Sequence, residues 1–319
     1  MGNIKSNTIN GEYNIKRLDK DRLKDLDHLS KSVYGKAVEK QYYFRKYNTG
    51  FTGIEYIGYI AYNSLNIPVS FYGVLPCFIQ FNGKIILSAQ SADTMTHPDH
   101  RNKGLFVELA MATFNLCKEN GIGLVFGFPN QNSLHGFVYK LGWTITENMT
   151  RFSIPVRTFP FASFFKYFRW SKWIYAKYTQ LTLRKYLLPL MELSKTTYTS
   201  EFGGVYRDEH YLKYKTYNQT YAIGIGNAKA WVKIKNGFII GDLDLANDQF
   251  DLVIRELKKI SGRLGISNIS FQVSPGTSLH SLFSNTYQPF SSFPVGFKDL
   301  GAGIPLEKIK FAYADIDIF

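Results

Sequence analysis

Phe128-Pro129-Asn130-Gln131-Asn132-Ser133-Leu134-His135 is echoed about 145 residues later by Val273-Ser274-Pro275-Gly276-Thr277-Ser278-Leu279-His280. Each copy follows an amphipathic helix, a glycine (Gly121, Gly265) and a short apolar strand, so an order of elements recurs and not just a fragment. Self-similarity at one fixed offset marks a duplicated unit. The two halves also open alike, more weakly: Tyr42-Tyr43-Phe44-Arg45-Lys46-Tyr47 against His210-Tyr211-Leu212-Lys213-Tyr214-Lys215. Duplication within 319 residues predicts two similar domains, each large enough for a core of its own.

Within the first copy, the pattern predicts a strand over 13–18, a charged amphipathic helix over 19–33 and a second helix over 40–47. Strands follow at 54–62, 67–81 and 84–96, the last two joined at Asn82-Gly83, a type I′ hairpin signal because both positions must accept positive φ. A loop leads into a helix whose apolar face is Phe106, Leu109, Ala110, Thr113, Phe114 and Cys117, spaced for packing on a sheet. Asn120-Gly121 ends it, and 124–128 reads as a buried strand. The predicted class is α/β: a mixed, largely antiparallel sheet flanked by helices in each copy, with segments at 1–155, 156–195 and 196–319.

A chain that is 45% hydrophobic and 20% charged is outside the disordered class. Its two cysteines, Cys77 and Cys117, exclude a disulfide scaffold and a Cys-rich zinc site, and suit a reducing, cytoplasmic compartment. No apolar run reaches membrane-spanning length and no signal peptide is apparent; Met1–Ser6 fits the short N-myristoylation pattern. A net charge of +13 points to a phosphate-rich partner. Residues 148–191 hold eight Lys or Arg, no acid and many aromatics. Three readings stand for that stretch: a helical linker whose aromatics pack on both domains, peripheral contact with anionic lipid, or stacking on nucleic acid. No RNA- or DNA-binding motif accompanies it, so nucleic acid is not expected; a homodimer through the linker or the second domain stays open.

The stretch that carries chemistry is Asp93-Thr94-Met95-Thr96-His97-Pro98-Asp99-His100-Arg101-Asn102-Lys103-Gly104-Leu105-Phe106, a strand end, loop and helix start. A helix N-terminus presents unbonded N–H groups and partial positive charge, Gly104 lets backbone approach a ligand, and Arg101 and Lys103 add cations: a phosphate cradle. Neither the Rossmann nor the P-loop glycine pattern occurs.

Here the sequence resembles the GNAT acyl-CoA-dependent N-acyltransferases. Arg101-Asn102-Lys103-Gly104-Leu105-Phe106 matches their pyrophosphate loop at Arg101 and Gly104, with Phe106 in place of a small residue. Asn130, Asn132 and Ser133, then Tyr139-Lys140-Leu141-Gly142-Trp143, resemble the second motif; the usual tyrosine position is Val138, one residue before Tyr139. The resemblance covers residues 10 to 150 and implies acyl-CoA as co-substrate and no metal. It implies coenzyme A contacts from Met95, Thr96, Arg101, Asn102, Lys103, Gly104, Leu105, Phe106, Asn130, Asn132 and Ser133. N–H groups near Met95 and Thr96 would polarise the thioester; Asp93 is the expected base and Tyr139 the expected acid, with His97 and His100 as possible helpers. No Arg-x-x-Gly stands between Leu245 and Asp248, so the second copy is expected to be a degenerate GNAT-like domain. The tandem layout looks like two-domain sugar N-acyltransferases of bacterial surface-polysaccharide (lipopolysaccharide) loci, which implies a nucleotide-linked amino sugar as acceptor. Another amine (antibiotic, polyamine or peptide) and a non-catalytic membrane-associated module are the alternatives.

Overall fold

The computed structural model describes residues 8–9, 12–35, 38–39, 41–166, 169–193, 201–235 and 237–319. The Met1–Ser6 pattern and Lys40, at the head of the expected second helix, lie outside the described residues. Two compact units emerge: residues 1–146 with 294–306, and residues 147–293 with 307–319. The borders differ from the expected segments. The stretch at 156–195 belongs to the second unit instead of forming a linker, and each unit takes in a piece of the chain's last residues, a long-range pairing that local patterns do not carry.

The first unit contains β1 (Tyr13–Arg17), α1 (Leu23–Tyr34), α2 (Tyr42–Lys46), β2 (Ile57–Tyr62), β3 (Pro68–Phe81), β4 (Lys84–Thr96), α3 (Leu105–Glu119), β5 (Leu124–Gly127) and α4 (Gln131–His135). β1 to β4 form an antiparallel meander, and β5 joins β4 in parallel after the α3 crossover. At the β3–β4 hairpin, Asn82 and Gly83 both take positive φ, 48° and 73°, with Phe81 opposite Lys84. The sheet has two apolar faces because side chains alternate along each strand. Ile57, Ala61, Tyr72 and Val125 meet Leu109, Ala110, Phe114 and Cys117 of α3. Ile60, Phe71, Leu75 and Met95 meet Leu23, Leu26 and Leu29 of α1 and Tyr43 and Tyr47 around α2. The spacing of α3 predicted that face, and its buried Cys117 thiol is pushed up to about 12 by burial.

β6 (Thr144–Pro155) lies mostly in the second unit, which continues through α5 (Arg169–Leu183), α6 (Glu209–Tyr214), β7 (Tyr221–Ile225), β8 (Ala228–Ile234), β9 (Phe238–Asp244), α7 (Phe250–Arg263), β10 (Asn268–Val273) and α8 (Ser278–Ser284). Its order repeats that of the first: antiparallel β7, β8 and β9, a helical crossover by α7, then β10 parallel to β9. β11 (Phe290–Asp299) gives its last residues to the first unit, where Gly296, Phe297, Lys298 and Asp299 pair antiparallel with Gly127, Phe126, Val125 and Leu124.

Candidate active site

β4 and β5 pair only at Ser88–Gln90 against Leu124–Phe126. Past Gln90, β4 runs on to Thr96 against β3 alone, so among the described residues its other edge is left without a strand partner. In that stretch the β3–β4 register slips: Phe71 faces Met95 and Gly73 faces Ala92, leaving Tyr72 opposite both Asp93 and Thr94. Asp93 takes φ 52°, in the left-handed region, which makes this a β-bulge that bends the strand and re-aims a side chain.

The Asp93 carboxylate is aimed at α2. Tyr47 donates its hydroxyl to Oδ2 at 3.1 Å, and Lys46 Nζ lies 2.7 Å from the same oxygen. Lys46 is wholly buried, and a buried ammonium needs a counter-charge. The ammonium also sits 5.5 Å from the centre of the Tyr42 ring. Burial first, and then the Asp93 charge, pushes the Tyr43 phenol upward.

Of the two N–H groups expected to polarise a thioester, one faces the open edge. His97 N–H donates to Val69 O of β3, so alternation turns Met95 toward β3 and Thr96 away from it. Thr96 O accordingly accepts from Arg101 Nε at 3.4 Å. His97 and His100 brace the loop: His97 Nδ1 accepts from Asp99 N–H, and His100 Nδ1 shares a hydrogen bond with Tyr13 OH at 2.9 Å.

Asn102 and Gly104, at φ 61° and 80°, turn the backbone into α3. No side chain caps the helix. Gly104 O accepts from Val107 and Glu108 N–H, leaving Leu105 and Phe106 N–H outside the helix ladder. A Cβ built on Gly104 would meet nothing within 4 Å, so the space above it is open, with exposed Arg101 and Lys103 at its rim. Phosphate oxygens fit this arrangement by chemistry and by room. Phe106 does not crowd it. Its ring turns inward, edge-on to Phe137 at 5.4 Å and Tyr72 at 6.0 Å, into room left by Gly136, where a Cβ would lie 2.9 Å from the ring.

In the second motif, the residues expected to contact coenzyme A begin a helix. The Asn130 side chain accepts from Asn132 and Ser133 N–H while Ser133 Oγ accepts from Asn130 N–H, a capping box that starts α4. Asn130 and Ser133 are thereby engaged within the motif, whereas the Asn132 side chain is exposed. Residues 136–140 then form a π-turn closed by Leu141 N–H to Gly136 O, one residue more than an α-turn. That extra residue corresponds to about 100° of rotation, the size of the offset between Tyr139 and Val138. Tyr139 is exposed, its ring 4.8 Å from that of His135.

Sequence reasoning missed Lys46, whose one signal was its place in the weak echo with residues 210–215. It also missed Gln90 and Trp143, whose buried Nε2 and Nε1 atoms have no hydrogen-bond partner among the described residues. Gln90 is the last residue of β4 paired to β5.

The second unit has no such loop. β9 passes through a short 3-10 turn at Asn247–Gln249 into α7. Where β9 and β10 end their three-residue pairing, the chain's own residues step in: Ala312 bridges Val273, and Ser274 N–H donates to Phe311 O at 2.8 Å. Arg207, buried beside β9, pairs with Asp242 and Asp315.

Residues 14–146 match the family described as acetyltransferase (GNAT) domain. No curated protein matches the chain. Among solved structures, the chain is similar to the GCN5-related N-acetyltransferase of Kribbella flavida, with TM-score 0.60 and 11% identity over 93% of this chain and 73% of that one. It is also similar to that of Anabaena variabilis, with TM-score 0.55 and 14% identity over 90% and 73%. At these identities the likeness is one of fold. Residues 14–146 thus carry a GNAT acetyltransferase domain, and for that part of the chain the match supports an acyl-CoA-dependent N-acyltransferase.

Proposed function

We propose that the first unit transfers an acyl group from acyl-CoA to the amino group of a nucleotide-linked amino sugar in surface-polysaccharide synthesis. The observation that carries the acyl-CoA half is the open helix end at Gly104 beside the parting of β4 and β5. The pyrophosphate is held by N–H groups of Gly104, Leu105 and Phe106 and by Arg101 and Lys103, which lays the thioester along the free edge of β4. Thr96 N–H polarises its carbonyl. The acceptor amine attacks the carbonyl carbon directly, the C–S bond breaks, and the thiolate leaves with a proton from Tyr139. Asp93, held by Lys46 and Tyr47, takes the amine's proton. Cys117, buried and with its thiol pushed up, is a poor nucleophile, which favours direct transfer over an acyl-cysteine.

A phosphate-bearing acceptor is favoured by the net charge of +13. The second reading, another amine, rests on the same acyl-CoA site. Calorimetric titration with coenzyme A comes first: micromolar binding, lost in Gly104→Glu, is expected, and no binding overturns the site. Thiol release over nucleotide-linked amino sugars, antibiotics, polyamines and peptides then decides the acceptor, and turnover with an amine that carries no sugar would displace the amino-sugar reading.

A further inference from the structure

α5 has two faces of opposite character. Tyr175, Thr179 and Leu183, four residues apart, form the seated face: Tyr175 donates its hydroxyl to Leu264 O at 2.9 Å, and Thr179 and Leu183 are buried. Trp173, Lys177 and Leu181 form a second stripe about 200° round the helix from the first. Trp173 is 62% and Leu181 68% exposed, and Lys177 Nζ lies 4.0 Å from the centre of the Trp173 ring. The segment before α5 repeats the division. Phe161 and Phe165 turn inward against Tyr178 and Tyr175, whereas Phe159 and Phe164 stack on each other in solvent.

Scattered exposed apolar residues need no explanation; large ones concentrated on one helix face and its adjoining turn do. The charge around them names the partner. α5 carries exposed Lys172 and Lys177, exposed Arg184 and Lys185 follow it, and residues 148–191 hold no acid, so a protein surface of ordinary mixed charge is not matched, whereas a uniformly anionic one is. Bulky apolar groups interleaved with cations, on a helix anchored by its opposite face, form the arrangement that lies in a lipid interface with aromatic rings at headgroup depth. Among the described residues no helix is long and apolar enough to cross a membrane.

We propose that the outer face of α5, with Phe159 and Phe164, docks the protein on the surface of an anionic lipid bilayer. The test is co-sedimentation of the full chain with vesicles of phosphatidylcholine alone and of phosphatidylcholine with phosphatidylglycerol. Binding about tenfold tighter to the anionic vesicles, weakened by salt, and a blue shift of tryptophan emission are expected. Trp173→Asp with Leu181→Asp should abolish both, while coenzyme A affinity and the near-ultraviolet dichroism stay unchanged. Lys177→Glu with Lys185→Glu serves as a second variant should the first fail to fold; it is expected to remove the preference for anionic lipid. The proposal is overturned by absence of vesicle binding, or by binding that a folded variant leaves intact. It is equally overturned if this face binds single-stranded RNA but not vesicles, or if light scattering shows a dimer that the variants dissociate while vesicles are ignored.

Discussion

Lys46 Nζ and Asp93 Oδ2 lie 2.7 Å apart, joining the last turn of α2 to the bulge of β4, with the lysine wholly buried and the aspartate side chain 17% exposed. The asymmetry of burial sets an asymmetry of response. Asp93→Ala leaves an ammonium buried without its partner and should cost about 3–5 kcal/mol. Lys46→Met leaves a carboxylate that water reaches, and should cost less. Urea unfolding of the two variants checks the order; equal losses would mean that the pair does not hold the bulge.

Asp93→Asn keeps the shape of the bulge while removing the base assigned to it. The expected result is a fall in kcat of about a hundredfold or more, with KM for acyl-CoA little changed. A loss confined to KM would place Asp93 in binding instead. Tyr139→Phe should reduce kcat about tenfold or more if its hydroxyl serves the leaving thiolate, and its exposure predicts unchanged stability.

At Gly104 the cost of substitution divides between backbone and ligand. Its φ of 80° makes Gly104→Ala strained by about 1–2 kcal/mol, although the new methyl group meets no neighbour. Gly104→Glu adds a like charge where phosphate is expected, and coenzyme A affinity should fall at least about a hundredfold. Calorimetry and thermal unfolding on the same samples separate the two effects.

Phe106 and Gly136 fit as a pair. Gly136→Ala pushes a methyl group to within 2.9 Å of the Phe106 ring and should cost about 1–3 kcal/mol. Adding Phe106→Leu should recover part of that loss. A double-mutant cycle with a coupling energy near zero would show that the ring is not seated there.

Lys215 gives the second unit a pH dependence of known sign. Burial, outweighing the attraction of Asp317 and Asp315, lowers its ammonium to about 7 from the usual lysine range. Between pH 7 and about 10.4 the unfolded chain therefore binds a proton that the folded chain has released, and stability contributed by this group rises with pH. Below pH 7 both states are protonated and the full penalty applies. Lys215→Met should stabilise the protein at neutral pH and flatten its stability profile between pH 7 and 10 relative to the unmodified chain, as denaturant unfolding across that range would show.

What was legible in the sequence was local. Positive φ at Asn82, Gly83 and Gly104 follows from residue type and turn geometry, and the apolar face of α3 follows from spacing. The echo between Phe128-Pro129-Asn130-Gln131-Asn132-Ser133-Leu134-His135 and Val273-Ser274-Pro275-Gly276-Thr277-Ser278-Leu279-His280 was legible too. Both stretches start a helix with a side-chain cap, Asn130 in one and Thr277 in the other, a need any duplicated strand-to-helix turn would retain. What escaped were pairings across long separations: Lys46 with Asp93, which only the bulge brings together, and β5 with residues 296–299, which carry no local sign of their partner.

That last pairing has a consequence for how the chain is made. Leu124–Gly127 emerges from the ribosome roughly 170 residues before the strand that flanks it, which at ordinary elongation rates is on the order of ten to thirty seconds. Through that interval an apolar strand stands at an open sheet edge, a template for any extended chain nearby. Until residues 296–299, in the last tenth of the chain, arrive to pair with it, that edge stays open to whatever extended chain or holding chaperone meets it.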